Sequence, residues 1–352
     1  MSVFALAQRL VDRGLVPDAL VRAAIRRLNA KRLAEEYAGG LEETRRHQDS
    51  LAERLRAGAV AVATEAANEQ HYEVPAAFFE QVLGARLKYS SAYFPPGVST
   101  LDAAEEAMLA LTCERALLAD GQDVLELGCG WGSLTLFMAE RFPLSRIHAV
   151  SNSSSQREHI LARARARGLA NVTVETADVN VLEVPGPFDR VVSVEMLEHV
   201  QNHERLLERI ARWLAPGGKL FVHIFCHREL TYTFETAGPD DWMGRHFFTG
   251  GLMPSAYHLA LLQKDLVLEE RWRVEGEHYA RTARAWLENL DARRGAARAA
   301  LATVHGRDAD VWVRRWRVFF MACEELFSWR RGTEWFVSHY RFARPAPLPA
   351  GR

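Results

Sequence analysis

The stretch VLELGCGWGS, Val124 to Ser133, sets three glycines at every second position directly after an apolar run. A strand that ends this way must turn sharply into a helix. Gly128, Gly130 and Gly132 give that turn unusual dihedrals and let a ligand approach the backbone closely. The natural occupant is nucleotide-like. A dinucleotide fingerprint spaces its glycines GxGxxG and carries an acid about 20 residues further on for the ribose. Here the spacing is GxGxG, and the next strand ends in AVSNSSSQ, without an acid. An E/D-x-G-x-G-x-G turn led by Glu126 points instead to S-adenosyl-L-methionine (AdoMet). A turn serving only tight packing is the plainer alternative, and its place at the head of a β-α alternation argues against it.

Outward from the turn the alternation continues. DVLELG, RIHAVS, VTVETA, FDRVVSVE and KLFVHIF read as strands, separated by the helical patterns SLTLFMAERF, QREHILARARARG and HERLLERIARWLAPGG. This is the rhythm of a parallel sheet covered on both faces by helices. APGGKL, Ala215 to Leu220, reads as a helix end and a turn before a strand. Asp178 falls at the end of the third strand, where a carboxylate can accept the exocyclic amine proton of an adenine. The expected fold is α/β: a Rossmann-like class I AdoMet-dependent methyltransferase core, with a mostly parallel seven-stranded sheet, N-terminal helices and a helical C-terminal substrate region. The pattern changes near residues 115 and 225. The expected division is therefore an N-terminal helical segment and cofactor lid (1–115), the AdoMet-binding core (116–228), and substrate-pocket helices with final core strands (229–352).

In the N-terminal part, Val16 to Tyr37 predicts a helix, with Leu20, Ala24, Ile25 and Leu28 on one stripe. In the C-terminal part, VWVRRWRVFFMACEELFSW spaces its aromatic residues as a helix does. Totals exclude several classes. Lys plus Arg is 44 and Asp plus Glu is 45 in 352 residues, so no overall charge draws the chain to nucleic acid. No apolar run reaches the roughly 18 residues of a membrane span. Cys113, Cys129, Cys226 and Cys323 show no CxxC pairing, and the N-terminus has no signal-peptide pattern, so reduced thiols and a cytoplasmic location are expected.

The chemistry-bearing segment is EMLEHV after the fourth strand. Glu195, Glu198 and His199 stand at i, i+3 and i+4, and share one face if a helix begins here. That face would look into the crevice at the carboxyl ends of the strands. Dipole compensation at a helix start is the simpler reading of the acids. The functional reading is amine chemistry: a protonated amine cannot attack a sulfonium methyl, so Glu198 and His199 could take or relay the proton while Glu195 holds the cationic nitrogen. HIFCH supplies His223, Cys226 and His227 as conceivable zinc ligands. They would face different sides of a strand end without a fourth partner, so no metal is expected.

Several segments together, NEQHYEVPAAFFEQVLGARLKYSSAYF, LELGCGWGS, SNSSSQREHI, VEMLEHV, DDWM and WRVFFMACEELFSWRRGTEWFVSHYRF, resemble the coclaurine N-methyltransferase family, relatives of the cyclopropane fatty acid synthases. The resemblance covers nearly the whole chain. It implies AdoMet contacts from Tyr89, Ser90, Gly128, Cys129, Gly130, Asp178 and Val179, with Ser151, Asn152 and Gln156 at the ribose end, which accounts for the missing acid. It implies Glu198 and His199 as a catalytic pair, with Glu195 and Glu73 near the substrate nitrogen. Tyr72, Phe319, Trp329 and Trp335 are candidate pocket walls, suited to cation–π contact with an ammonium product. A homodimer is implied as well. Two departures bear on the substrate. Cyclopropane synthases bind bicarbonate with a cysteine that corresponds to Ser91 and a tyrosine that falls near Phe319, so both polar ligands look absent. His223, by contrast, stands where they carry a bicarbonate-binding histidine and where the plant N-methyltransferases tend to carry an acid. The expected activity is methylation of a small, apolar or aromatic amine. The alternatives are a lipid-modifying methyltransferase or cyclopropane synthase, and a non-catalytic AdoMet-binding protein.

Overall fold

A computed structural model describes residues 3–62, 74–238 and 240–345, with side chains from residue 6 onward. The apolar runs of the central region form five parallel strands: β1 (Asp123–Leu127), β2 (Arg146–Ser151), β3 (Val172–Thr176), β4 (Phe188–Val194) and β5 (Leu214–His227). Buried along most of their length, β1 and the end of β4 carry mainly aliphatic residues rather than alternation, with Glu126 and Ser193 as their buried polar members. A short ribbon, β6 (Tyr232–Thr233) and β7 (Leu252–Met253), follows. Then β8 (Val267–Val274) and β9 (Trp335–Ala343) return antiparallel to the main sheet, completing the order β3-β2-β1-β4-β5-β9-β8. The order reverses at β1, which lies between β2 and β4. At such a switch point a crevice opens beyond the strands' carboxyl ends, where doubly wound sheets bind ligands.

Helices Ser133–Arg141, Ser154–Ala166 and His203–Trp213 cover the core. Ser153 caps the second, its hydroxyl accepting from the Gln156 amide, and Asn202 caps the third through the Arg205 amide. The predicted N-terminal helix is present as Asp18–Glu36. Its buried stripe is Val21, Ile25 and Leu33: Ile25 is buried as expected, Val21 stands in for Leu20, Ala24 is exposed and Leu28 half-buried. Leu20 is 62% exposed, because the surface this helix covers belongs to the far end of the chain. Val21, Ile25 and Leu33 share one apolar core with Trp286, Trp316 and Phe320, from helices Gly276–Ala292 and Ala309–Phe327. Arg22 pairs with Glu324 at 2.7 Å and Glu325 at 2.9 Å, and Arg317 with Asp18 at 2.7 Å, tying helix Asp18–Glu36 to helix Ala309–Phe327.

Candidate active site

The three glycines of the first turn do different work. All have positive φ, 79°, 52° and 82°. A Cβ on Gly128 would sit 2.5 Å from the Met196 side chain, and one on Gly132 2.6 Å from Ile160, so these two permit close packing. A Cβ on Gly130 would meet nothing within 4 Å. Gly130 faces open space, and that space is the crevice. One cavity of about 70 Å³ is lined by Gly128, Gly130, Ser151, Asn152, Gln156, Asp178 and Val179. The Ser151 hydroxyl donates to Gln156 Oε1 at 2.7 Å, and Asp178 Oδ1 accepts from the amide and side chain of Asn180 at 2.8 and 3.0 Å. Polar groups at this end are thus set by short-range bonds.

A second cavity of about 170 Å³ adjoins the first and shares Gly128, Gly130, Gln156, Met196 and His199 with it. Tyr89, Ser90, Glu126 and Cys129 line its near end; Phe225, Phe248, Phe319, Phe327, Tyr279 and Trp286 wall the remainder. Glu126 lies under the turn, accepts the Thr135 hydroxyl at 2.5 Å, and is pushed by burial to a pKa of about 8. Ser133 Oγ and Trp131 Nε1 also belong to the lining; both are buried and without a hydrogen-bond partner among the described residues. Buried donors rarely stay unpaired. With the open face of Gly130, they fit a polar, nucleoside-bearing ligand that spans both cavities.

Glu195 is the acid that reaches the second cavity from β4. Its Oε1 accepts from the Ser91 amide at 2.8 Å and lies 3.1 Å from His223 Nε2, while its Oε2 accepts the Tyr279 hydroxyl at 2.5 Å. Burial pushes its pKa above the usual carboxylate range, opposed by the Lys88 ammonium and these donors. Lys88 is itself buried, donates to Ser90 Oγ, and is lowered to a pKa of about 8, chiefly by desolvation.

The expected helix face of Glu195, Glu198 and His199 does not form. Glu195 N–H donates to His223 O at 2.9 Å, carrying the β4–β5 ladder one residue further, and Glu195 takes a positive φ of 46°. That conformation breaks any helix start. A single 3₁₀ turn, Leu197–His199, follows, and the helix begins only at His203. His203 Nε2 lies 2.8 Å from the Leu197 carbonyl and pins the turn. Consequently His199 lines both cavities, its ring 4.7 Å from that of Phe248, whereas Glu198 lines neither. Glu198 is fully buried; its Oε1 accepts the Phe225 amide at 2.8 Å, and burial beside Glu195 raises its pKa well above normal. Burial lowers His199 to a pKa of about 4.

Other residues expected at the site fall elsewhere. Trp335 is fully buried in the core and donates its indole N–H to the Tyr232 hydroxyl at 2.9 Å; neither it nor Trp329 lines the cavities. Trp329 lies in the turn after helix Ala309–Phe327 and Trp335 opens β9, and their ring centroids lie 6.2 Å apart, away from the cavity lining. Phe319 does line it, stacked on Phe247 at 4.5 Å. Tyr72 and Glu73 lie outside the described residues. His223, Cys226 and His227 point to separate partners, Glu195, the Phe336 carbonyl and Glu334. A tyrosine hydroxyl does reach Glu195 from elsewhere in the chain, that of Tyr279 on the helix Gly276–Ala292. Sequence reading missed Tyr279 and Lys88: one sits among ordinary helical residues, the other beside the quoted Tyr89 and Ser90, and nothing local marks either as facing Glu195.

A glycine turn at the carboxyl end of β1, a polar cavity beside it and an acid-bearing aromatic cavity beyond define an AdoMet-dependent methyltransferase. Comparison with known proteins agrees. Residues 61–333 match the family described as mycolic acid cyclopropane synthetase. (S)-coclaurine N-methyltransferase of Thalictrum flavum subsp. glaucum is 38% identical over 339 residues, covering 95% of this chain and 94% of the relative. The crystal structure of coclaurine N-methyltransferase bound to N-methylheliamine and SAH superposes with a TM-score of 0.92 at 36% identity, over 97% and 99% of the two chains. Cyclopropane-fatty-acyl-phospholipid synthase of Escherichia coli (strain K12) is 30% identical over 63% of this chain and 56% of its own. The chain belongs to the coclaurine N-methyltransferase family, and its cofactor is AdoMet.

Proposed function

We propose that this protein transfers a methyl group from AdoMet to the nitrogen of a compact secondary or tertiary amine with an aromatic or other apolar body, benzylisoquinoline-like amines included. The observation that carries the reading is the Glu195 carboxylate set into a cavity that also presents Phe225, Phe248, Phe319, Phe327, Tyr279 and Trp286, with the Lys88 ammonium and His199 in the same lining. AdoMet supplies an electrophilic sulfonium methyl when bound. Gly128, Gly130, Ser151, Asn152, Gln156, Asp178 and Val179 hold its nucleoside end; Tyr89, Ser90, Glu126 and Cys129 hold the other. Glu195 binds the substrate ammonium and orients it. His199, kept neutral by burial, takes the proton that blocks the nitrogen lone pair. Glu198 completes the pair by fixing the Phe225 amide and the turn that carries His199. Phe225, Phe248, Phe319 and Phe327 exclude water and favour the cationic product through their ring faces. Glu73 and Tyr72 are assigned near the substrate by the resemblance alone. A homodimer rests on the same resemblance; cytoplasmic residence rests on the cysteine and N-terminal pattern, and the division of labour among 1–115, 116–228 and 229–352 on the changes of pattern near residues 115 and 225.

One observation favours a second reading, lipid cyclopropanation. Glu195, His223 and Tyr279 form a fuller polar cluster than the sequence suggests. Yet the Tyr279 hydroxyl and the Ser91 amide both spend their protons on Glu195, which leaves neither for a bicarbonate. The experiment offers a panel of amines and unsaturated phospholipids separately, with labelled AdoMet and mass spectrometry of the products. Methylated amine, formed faster as pH rises and independent of added bicarbonate, is expected. A gain of one methylene on lipid double bonds, with no methylated amine, overturns the proposal.

A further inference from the structure

Two buried histidines stand in single file behind Glu195, and amine binding as described gives them no task. His223 on β5 and His339 on β9 are direct cross-strand partners, both without exposed surface. His223 Nε2 is 3.1 Å from Glu195 Oε1, and its Nδ1 is 2.9 Å from His339 Nε2. His339 Nδ1 in turn lies 2.8 Å from an Nη1 of Arg115, the last residue of helix Leu101–Arg115, whose guanidinium covers the Trp272 ring at 5.0 Å.

The far end fixes the polarity of this chain. A guanidinium only donates, so His339 Nδ1 is the bare nitrogen and the ring's proton sits on Nε2. That N–H donates to His223 Nδ1, which leaves the His223 proton on Nε2, directed at Glu195. Burial first, with the nearby Lys88 and Arg115 charges, holds both rings neutral, so neither carries a second proton that would break the order. The Ser91 amide and the Tyr279 hydroxyl point the same way. Lys88, His199, Glu198 and Cys323 are the other titratable groups coupled to this carboxylate. A chain ending in a guanidinium cannot carry a proton away. It sets direction, and proton removal is left to His199.

We propose that Arg115 and His339 are positioning residues which, through His223, hold Glu195 deprotonated and aimed at the substrate ammonium. The role of Glu195 rests on the amine reading above; the direction of the chain does not. The test uses the full chain with bound S-adenosylhomocysteine and a dimethyl-tetrahydroisoquinolinium ion, a quaternary ammonium whose charge does not change with pH. Nitrogen-15 spectra should show His223 and His339 protonated on Nε2. His339→Leu removes both contacts and should weaken binding of the cation about tenfold, the loss of one charge-directed hydrogen bond, with S-adenosylhomocysteine affinity unchanged. His339→Gln offers an oxygen to Arg115 and an N–H to His223, so it keeps the direction and should bind like the parent. A proton on either Nδ1 overturns the chain, as does a Leu variant that binds like the parent. A Gln variant as weak as the Leu variant reduces His339 to packing and overturns its positioning role. Correct tautomers in a protein that binds S-adenosylhomocysteine but no cation overturn the ammonium role of Glu195, and separate that failure from one of the chain.

Discussion

The two adjoining cavities are built by opposite means. The smaller one takes its polar groups from one glycine turn and the ends of β2 and β3, with bonds such as Ser151 to Gln156 that span only five residues of chain, while Ala61, Met196 and Val200 complete its wall. The larger one gathers Tyr89, Glu195, Phe225, Tyr279 and Phe319, and its key bond, Tyr279 to Glu195, joins residues 84 apart. Local construction keeps cofactor recognition tied to a short motif. Long-range construction lets the amine pocket change by repacking helices while the turn stays intact.

Breaking the local half should have the largest effect. Gly128→Val imposes a β-branched residue at φ 79° and drives its Cβ into Met196, a residue that lines both cavities. Calorimetry should show S-adenosylhomocysteine binding abolished; retained binding would mean that the turn tolerates what its geometry forbids.

Next comes the boundary between the halves, where His199 lines both cavities. His199→Ala should lower turnover by roughly 10²–10⁴-fold, the usual loss of acid–base help, with cofactor affinity nearly intact. Glu198→Ala should act in the same direction, because it leaves the Phe225 amide without its acceptor. Rapid-quench kinetics with the chemical step isolated makes the comparison, and unchanged rates in both variants would limit this pair to packing.

The contrast also predicts a response to acid. Burial depresses His199 and His203 to pKa values of about 4 and His258 to about 3, and all three brace the 3₁₀ turn or the helix after it. An unfolded histidine titrates near pH 6.5, so between about pH 6.5 and 4 the unfolded chain binds more protons than the folded one. Stability should be full above that window and fall steadily through it. Thermal melts from pH 7 to 4 measure this, and a midpoint that does not move would show these rings accessible to water.

The smallest effect belongs to the outer edge of the larger half. Arg22→Ala breaks the partly exposed pairs with Glu324 and Glu325 and should cost about 1 kcal/mol or less, seen as a small drop in melting midpoint without loss of cofactor binding.

From the sequence alone, the glycine spacing and the β-α alternation determined the fold class and the cofactor, because a parallel sheet needs buried aliphatic strands and a tight first turn, and both are written locally. Gly128, Gly130 and Asp178 could be placed at one crevice for the same reason, whereas Ser151 came from the family resemblance. The pairing of Glu195 with Tyr279, Lys88 and His223 could not be placed in this way, since side chains far apart in sequence meet only once β4 aligns with β5 and the helix Gly276–Ala292 closes over them. The periodicity that suggested a helix at Glu195 was overruled by one extra rung of the β4–β5 ladder, and Trp335 was drawn into the core by a strand pairing its own neighbours do not reveal. Sequence determined what the turn can hold; tertiary packing decided which charges face the substrate, because burial and partnership are properties of the assembled fold.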